Sequence, residues 1–125
     1  MRRPLSLVTA LLLAGCATTT PAPAPWLVGV WLGLDDTVEF PLACASGLVI
    51  RYDPDGRFAL FGEAGDWRLD GERLTETTTE FTDAGDGYAT ELNRPYVSHI
   101  QREGPDLFVK TYADGEQMRF RRCPE

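Results

Sequence analysis

The sequence predicts an all-β domain, an eight-stranded antiparallel up-and-down meander that closes into a small barrel. Turn signals recur at short intervals, at Asp53-Pro54-Asp55-Gly56, Asp70-Gly71, Gly104-Pro105-Asp106 and Asp114-Gly115. Asp-Gly supplies the positive φ that tight hairpins require, and Pro-Asp-Gly suits a slightly longer turn. The segments between these turns are rich in β-branched and aromatic residues, and none keeps a helical period over the length of an ordinary helix.

These turns divide the domain into eight strands, most of them joined as sequential hairpins. The Asp-Pro-Asp-Gly turn separates the second strand from the third, and Asp70-Gly71 separates the fourth from the fifth. Gly104-Pro105-Asp106 and Asp114-Gly115 separate the last three strands. The predicted strands are 27–34, 47–52, 57–61, 65–69, 72–81, 97–103, 107–112 and 116–122.

Alternation of side chains supports these strands. Apolar residues share one face: Leu48, Ile50 and Tyr52, Phe58 with Leu60, Trp67 with Leu69, and Met118 with Phe120. The other face carries basic residues: Arg51, Arg57, Arg68, Arg119 and Arg121. This period of two is typical of half-buried antiparallel strands, and closure into a barrel removes the exposed edges of the meander. The alternation is weakest at 75–79 and 97–101, where an open or flattened barrel is the alternative.

The first strand opens with Val28-Gly29-Val30-Trp31, which resembles the Gly-x-Trp start of lipocalins and their small-barrel relatives. The meander of eight predicted strands is also similar to the lipocalin topology. The resemblance implies a lipocalin-like barrel in which Trp31 closes one end, and the alternative is that Trp31 is an ordinary core residue. No second lipocalin signature is present, so the ligand-binding residues of that family are not carried over.

The first sixteen residues are typical of a bacterial export signal. Arg2 and Arg3 precede an apolar run at 5–13 that is too short to span a bilayer. Leu13-Ala14-Gly15-Cys16 resembles the lipobox of bacterial lipoproteins. That resemblance implies removal of a signal peptide, residues 1–15, and attachment of lipid to Cys16, an anchor that several acyl chains make effectively permanent. The alternative is an ordinary cleaved signal.

The residues after the cysteine suggest a location and a spacer. Ala17 stands where lipoproteins kept at the inner membrane of enterobacteria carry aspartate, so the resemblance implies the periplasmic face of the outer membrane. Inner-membrane and cell-surface placement stay open. Residues 17–25 are rich in proline, alanine and threonine, which predicts a semi-extended spacer of roughly 25–30 Å. The lipidated cysteine and linker thus occupy 16–25, and the barrel domain occupies 26–125.

The charge balance excludes some partners. The chain has 12 basic and 19 acidic residues, a net charge of −7, and loss of Arg2 and Arg3 makes the mature domain more acidic. Nucleic acid and bare anionic membrane are therefore not expected partners, whereas a basic protein is compatible with this surface. The length of the domain suits one modest core, and the sequence does not indicate an oligomeric state.

Three cysteines are present, and lipid on Cys16 would leave Cys44 and Cys123. In an oxidising compartment the remaining pair predicts one disulfide, with two free thiols as the alternative. A metal site is less well supported, because two cysteines and one histidine fall short of four ligands.

No catalytic residue, metal site or cofactor is predicted. Ser98 and His99 are adjacent on a strand and therefore point to opposite faces, so they cannot form a nucleophile and base pair. The Asp53 to Gly56 segment lacks the later acidic ligands of a calcium loop and is interpreted as a turn. The other acidic groups are interpreted as solvated loops: Asp35, Asp36 and Glu39, and Asp83, Asp86 and Glu91.

Two functions are consistent with this sequence. The first is a lipid-anchored, non-catalytic barrel that binds a small apolar ligand through aromatic residues, for which the candidates are Trp31, Tyr52, Phe58, Trp67 and Phe120. An interior filled by side chains would exclude it, and eight-stranded barrels are just wide enough to be filled. The second is an interaction or inhibitor protein that binds a basic protein by its outer surface. The architecture and charge resemble small periplasmic barrel lipoproteins that inhibit lysozyme. An enzyme is the least supported class.

Overall fold

The computed structural model describes residues 24–34, 44–45, 49–82 and 91–124, and these form a closed antiparallel barrel. Its elements, in chain order, are β1 (Gly29–Leu34), β2 (Val49–Tyr52), β3 (Arg57–Leu60), β4 (Glu63–Asp70), β5 (Arg73–Phe81), β6 (Pro95–Gly104), β7 (Leu107–Thr111) and β8 (Gln117–Arg122). Each strand pairs with its neighbours in sequence, and β1 also pairs with β8. The predicted fold class is confirmed.

The barrel is closed at 75–79 and 97–101, the two segments for which the sequence left an open or flattened barrel as the alternative. β5 pairs with both β4 and β6, and Thr75 stands opposite both Arg68 and Val97. At the seam between the first and last strands, Trp31 stands opposite both Ile50 and Arg122. The strand ends lie within two residues of the predicted ones.

Two glycines allow close approaches that a side chain would block. The β4 register shifts at Gly65, where an added Cβ would lie 1.9 Å from the carbonyl oxygen of Thr77. Gly29 has a φ of +135°, and an added Cβ there would lie 2.6 Å from Nη1 of Arg122. These sites therefore require glycine, the first for the β-bulge and the second for the arginine that crosses the end of the barrel.

The alternating strand directions give the barrel two different ends. The closed end has the short turns 53–56, 71–72 and 105–106, and the open end has the turns 61–62 and 112–116. The connections from β1 to β2 and from β5 to β6 also leave from the open end. The chain enters β1 at the closed end, so the residues just before this strand are placed to cover it.

Aromatic side chains and one arginine cover the closed end. The Trp26 ring meets those of Trp31 and Phe108 edge to face, with centroids 6.3 Å and 5.9 Å apart. Trp31 Nε1 donates to the Leu27 carbonyl at 2.8 Å. The Arg122 guanidinium lies 4.3 Å above the Trp31 ring and donates to the carbonyls of Val28 and Trp26. Trp31 thus lies in the buried core, beneath the residues that cover this end of the barrel.

The apolar core occupies the half of the barrel next to the closed end. Phe108 stacks on Phe120 with centroids 5.0 Å apart, and Tyr52 meets Trp67 edge to face at 5.4 Å. The buried core cluster comprises Leu27, Trp31, Ile50, Tyr52, Phe58, Trp67, Leu74, Ile100, Phe108 and Phe120. Burial of these side chains is the main term that stabilises the barrel.

The outer face is charged and is crossed by ion pairs. Arg57 pairs with Asp66 at 3.0 Å and with Glu80 at 3.1 Å, and the acidic partners are exposed. Exposed pairs of this kind contribute at most about 1 kcal/mol each. The five arginines predicted for the outer face lie there, because their apolar neighbours point inward.

The two predicted disulfide cysteines are at bonding distance. The sulfurs of Cys44 and Cys123 lie 2.08 Å apart, and the backbone N–H of Cys123 donates to the Val30 carbonyl at 2.8 Å. The bond ties the long connection after β1 to the residue that follows β8. The predicted signal peptide, Cys16 and the linker as far as residue 23 lie outside the described residues, as do Asp35, Asp36, Glu39, Asp83 and Asp86.

Candidate functional site

A pocket of about 630 Å³ opens at the open end of the barrel. This volume lies within the range of roughly 300–1,000 Å³ that is typical of small-molecule sites. Apolar and aromatic residues form part of the lining: Phe58, Leu60, Pro95, Tyr96, Val97 and Tyr112. Polar residues form much of the rest: Glu63, Glu76, Thr78, Arg94, Ser98, Lys110 and Asp114.

Strand alternation explains why polar residues point into this half of the interior. On β5, Leu74 is buried in the core, and Glu76 and Thr78 follow on the same face toward the open end. On β7, Phe108 is buried in the core, and Lys110 follows on the same face. Because side chains repeat every second residue along a strand, one inward face is apolar near the closed end and polar near the open end.

Three of these inward residues form a hydrogen-bonded group, which we call the polar triad: Tyr52, Glu76 and Lys110. The Tyr52 hydroxyl donates to Oε2 of Glu76 at 3.0 Å, and Nζ of Lys110 pairs with Oε1. The side chains of Lys110 and Glu76 are only 7% and 13% exposed. Both carboxylate oxygens of Glu76 therefore have a donor, which a buried charge requires.

Aromatic rings surround the ammonium group of the triad. Nζ of Lys110 lies 5.2 Å from the Tyr112 ring centroid and 5.9 Å from that of Phe120. Ring faces attract a cation at these distances. The triad thus lies beside both the aromatic core and the pocket, and its opposite charges are held within bonding distance of each other.

Burial changes the acidity of two tyrosines beside the pocket. Burial, and then the nearby Glu76 carboxylate, raises the pKa of Tyr52 well above its usual 10.0. Burial also raises the pKa of Tyr112, while the charge of Lys110 acts in the opposite direction. Both phenols therefore stay protonated at neutral pH, and the Tyr52 hydroxyl remains a donor to Glu76.

One residue that lines the pocket carries a buried hydroxyl. Ser98 is 7% exposed, and its Oγ has no hydrogen-bond partner within the part of the chain that the structure describes. Nearby, Oγ1 of Thr78 donates to Oε2 of Glu63 at 3.4 Å. His99 lies on the outer face instead, where its Nε2 is 2.9 Å from Glu72. Ser98 and His99 thus point in opposite directions, as expected for strand neighbours.

The five aromatic residues suggested by the sequence as ligand contacts occupy different places. Phe58 lines the pocket. Trp31 and Phe120 lie in the core, and Trp67 donates through Nε1 to the Asp53 carbonyl at 3.1 Å. Tyr52 lies in the core, and its hydroxyl reaches the triad. Contact between any of them and a ligand stays a prediction.

Sequence reasoning did not identify Glu76, Lys110 and Ser98 as site residues. The available signal was that each lies two positions from a buried residue, and therefore on the same face of its strand. The pairs are Glu76 with Leu74, Lys110 with Phe108, and Ser98 with Ile100. A charged residue at an inward position is informative, because burial without a partner is costly.

Neither a metal centre nor a calcium loop is found among the described residues. There, no three histidine, cysteine, aspartate or glutamate side chains lie together as a metal site would require. Asp53 and Gly56 instead close a turn, in which the Gly56 N–H donates to the Asp53 carbonyl at 3.2 Å. The described segments also contain no helix long and apolar enough to cross a membrane.

Comparison with known proteins adds no family to these observations, since no protein-family model matches the chain and no curated protein matches its sequence.

Proposed function

We propose that this protein is a lipid-anchored, non-catalytic barrel of the bacterial envelope that binds a small, largely apolar molecule in the pocket at its open end. The observation that carries the proposal is the pocket itself, about 630 Å³ in a barrel whose other half is occupied by buried apolar side chains. The Gly-x-Trp resemblance supports a lipocalin-like barrel, and the lipobox resemblance supports the anchor and a location at the periplasmic face of the outer membrane.

An interior filled by side chains would exclude a ligand, but side chains fill only part of this interior. Aromatic side chains fill only the half near the closed end, and the pocket begins where Glu76, Thr78 and Lys110 replace them. Apolar walls with a few fixed polar groups are typical of small-molecule sites. The rim keeps apolar surface exposed as well, with Tyr96 at 40%. A ligand would cover this surface.

A surface that binds a basic protein is the second candidate, because the chain has a net charge of −7. The described outer face supports it less well. Exposed arginines on β2, β4 and β8 lie there beside the acidic residues, so that face does not present one sign of charge. Electrostatic recognition of a basic partner favours a surface of the opposite sign.

Binding of a neutral fluorescent probe, N-phenylnaphthylamine, tests the proposal on the segment 24–125, which contains all the described contacts and can be exported with its disulfide. We expect saturable binding to the wild type. Ala113→Trp fills the mouth of the pocket and should weaken binding at least about tenfold, since a blocked site loses its apolar contacts. Gln101→Trp on the outer face is the matched control. Equal binding by the two variants would contradict the proposal.

The anchor has its own test. Metabolic labelling with an alkyne fatty acid should mark the full chain in a bacterial host and leave the Cys16→Ser variant unlabelled. Mass spectrometry of the mature amino-terminal peptide then identifies the modified residue. Incorporation of label into both proteins, or into neither, would remove the support for lipid at Cys16.

A further inference from the structure

Among the described residues, two basic side chains line the pocket, and carboxylates of the same chain balance the charge of both. Nζ of Lys110 pairs with one oxygen of Glu76, whose other oxygen accepts from the Tyr52 hydroxyl. Nη1 of Arg94 pairs with Oε2 of Glu91 at 3.2 Å. These pairs leave the pocket without an unbalanced positive charge that would attract an anion.

Two acidic side chains of the lining have no basic partner among the described residues: Glu63 and Asp114. Oε2 of Glu63 accepts from the neutral Thr78 hydroxyl at 3.4 Å, and because Thr78 is buried, this contact holds the carboxylate toward the interior. Oδ1 of Asp114 accepts from the backbone N–H of Glu116 at 2.9 Å. The described lining therefore keeps two negative charges after its internal pairs are formed.

These two carboxylates belong to different sides of the mouth. Glu63 is the first residue of β4, Asp114 lies in the turn between β7 and β8, and β5 and β6 separate the two strands β4 and β7. The connections at this end before Arg94, residues 35–48, 61–62 and 82–93, contain no lysine or arginine, and neither does the turn 112–116. A charged group that enters the mouth therefore meets a field that favours a cation and opposes an anion.

Two tyrosine rings of the lining already lie against cations of the protein itself. The Arg94 guanidinium is 5.9 Å from the ring centroid of Tyr96, and Nζ of Lys110 is 5.2 Å from that of Tyr112. The face of an aromatic ring is negative, so it attracts an ammonium group and repels a carboxylate. Since Tyr96 is exposed at the rim, the aromatic part of the lining selects for the same sign of charge as the carboxylates.

We infer that the pocket binds a monovalent organic cation, a molecule with one ammonium group on a compact apolar body. The body lies against Phe58, Leu60 and Tyr112, and the ammonium group lies at the mouth near Glu63, with Asp114 adding to the field. An ammonium group at the open mouth keeps part of its hydration, which limits the cost of moving a charge out of water. This inference rests on the proposed function and specifies the chemical class of its ligand.

Titration calorimetry at neutral pH and low salt tests the inference with three probes of one chain length: octylammonium, octanol and octanoate. The segment 24–125 is used with its disulfide formed. We expect octylammonium to bind at least about fivefold more tightly than octanoate, because the unpaired carboxylates attract one ion and repel the other. Sodium chloride at about 0.3 M should reduce this difference and leave octanol binding unchanged, because salt screens charges near the surface.

A single substitution locates the charge that selects the cation. Glu63→Gln keeps an acceptor for the Thr78 hydroxyl and removes the negative charge. It should weaken octylammonium binding about three- to fivefold, the upper range for a partly exposed ion pair, and change octanol binding less than about twofold. Glu72→Gln is the matched control, because it removes the same charge from an exposed position at the closed end. It should leave the affinity for all three probes unchanged.

The outcomes separate this inference from the proposed function. Octanoate binding as tight as that of octylammonium would overturn the inference, as would equal octylammonium binding by Glu63→Gln and Glu72→Gln. Binding of N-phenylnaphthylamine or octanol without binding of octylammonium would also overturn it, and each of these results would leave the binding barrel standing. Failure of all three probes and of N-phenylnaphthylamine would overturn both proposals.

Discussion

Substitution of Lys110 by methionine tests whether the polar triad is a buried ion pair. The lysine and glutamate side chains are 7% and 13% exposed, so removal of one charge leaves the other in a poorly hydrated position. Loss of one partner from a buried pair costs about 3–5 kcal/mol. Lys110→Met removes Nζ, and with it the ammonium that lies near the Tyr112 and Phe120 rings, but keeps an unbranched apolar side chain one atom shorter, so the loss reports mainly on the unpaired Glu76 carboxylate.

Reversible urea unfolding of the disulfide-bonded protein, followed by tryptophan fluorescence, gives the free energy of unfolding. The double variant Glu76→Met/Lys110→Met should recover to within about 1 kcal/mol of the wild type or exceed it, because apolar replacements remove the cost of burying two charges. The control is the exposed pair Arg94–Glu91, with side chains 62% and 67% exposed. Arg94→Met should cost less than about 1 kcal/mol.

Two results would refute the reasoning. A loss below about 1 kcal/mol for Lys110→Met would be no larger than the loss expected for an exposed ion pair, and it would show that water reaches the triad. A loss in the double variant equal to the sum of the losses in Glu76→Met and Lys110→Met would show that the two residues do not interact, whatever their separation.

Three further predictions concern the scaffold. Gly65→Ala should lower the free energy of unfolding by about 3 kcal/mol, because its Cβ would lie 1.9 Å from the Thr77 carbonyl oxygen, and an unchanged urea midpoint would contradict the bulge. Cys44→Ala/Cys123→Ala removes a link across 79 residues of sequence and should cost about 2–4 kcal/mol in the same assay. Burial raises the pKa of Tyr52 in the folded protein. The stabilisation that comes with this raised pKa is complete below pH 10.0 and is lost as the pH rises toward the pKa of the folded state. Wild-type stability should therefore fall above pH 10.0 more steeply than that of Tyr52→Phe, and parallel curves in urea titrations across this range would contradict it.

The strands were predictable because their turns depend on local chemistry. Gly56, Gly71 and Gly115 all have the positive φ that the turn sequences indicated. The exception is the turn from β3 to β4, where Phe61 and Gly62 have φ values of +28° and +68°. Phenylalanine is not a turn residue by composition, so the sequence placed the start of β4 two residues too late.

The core near the closed end was also predictable, whereas the polar triad was not. Alternation assigns Leu74 and Glu76 to the same face without any knowledge of their neighbours in space. Glu76 is tolerated there only because Lys110, 34 residues away in sequence, and Tyr52, 24 residues away, meet it from other strands. Those meetings depend on barrel closure and strand register, which a local pattern does not specify.

The same strand order that builds the pocket also separates it from the amino terminus. Trp26 and Leu27 cover the closed end immediately before β1, so a chain tethered at Cys16 would be held by the end opposite the pocket. The mouth would then face away from the anchor, and a ligand could enter without passing the aromatic core. The two longest connections, 35–48 and 82–94, both leave β-strands at the mouth. Arg94, at the end of the second connection, lines the pocket, so a change there can alter what the pocket admits while the closed half continues to provide stability.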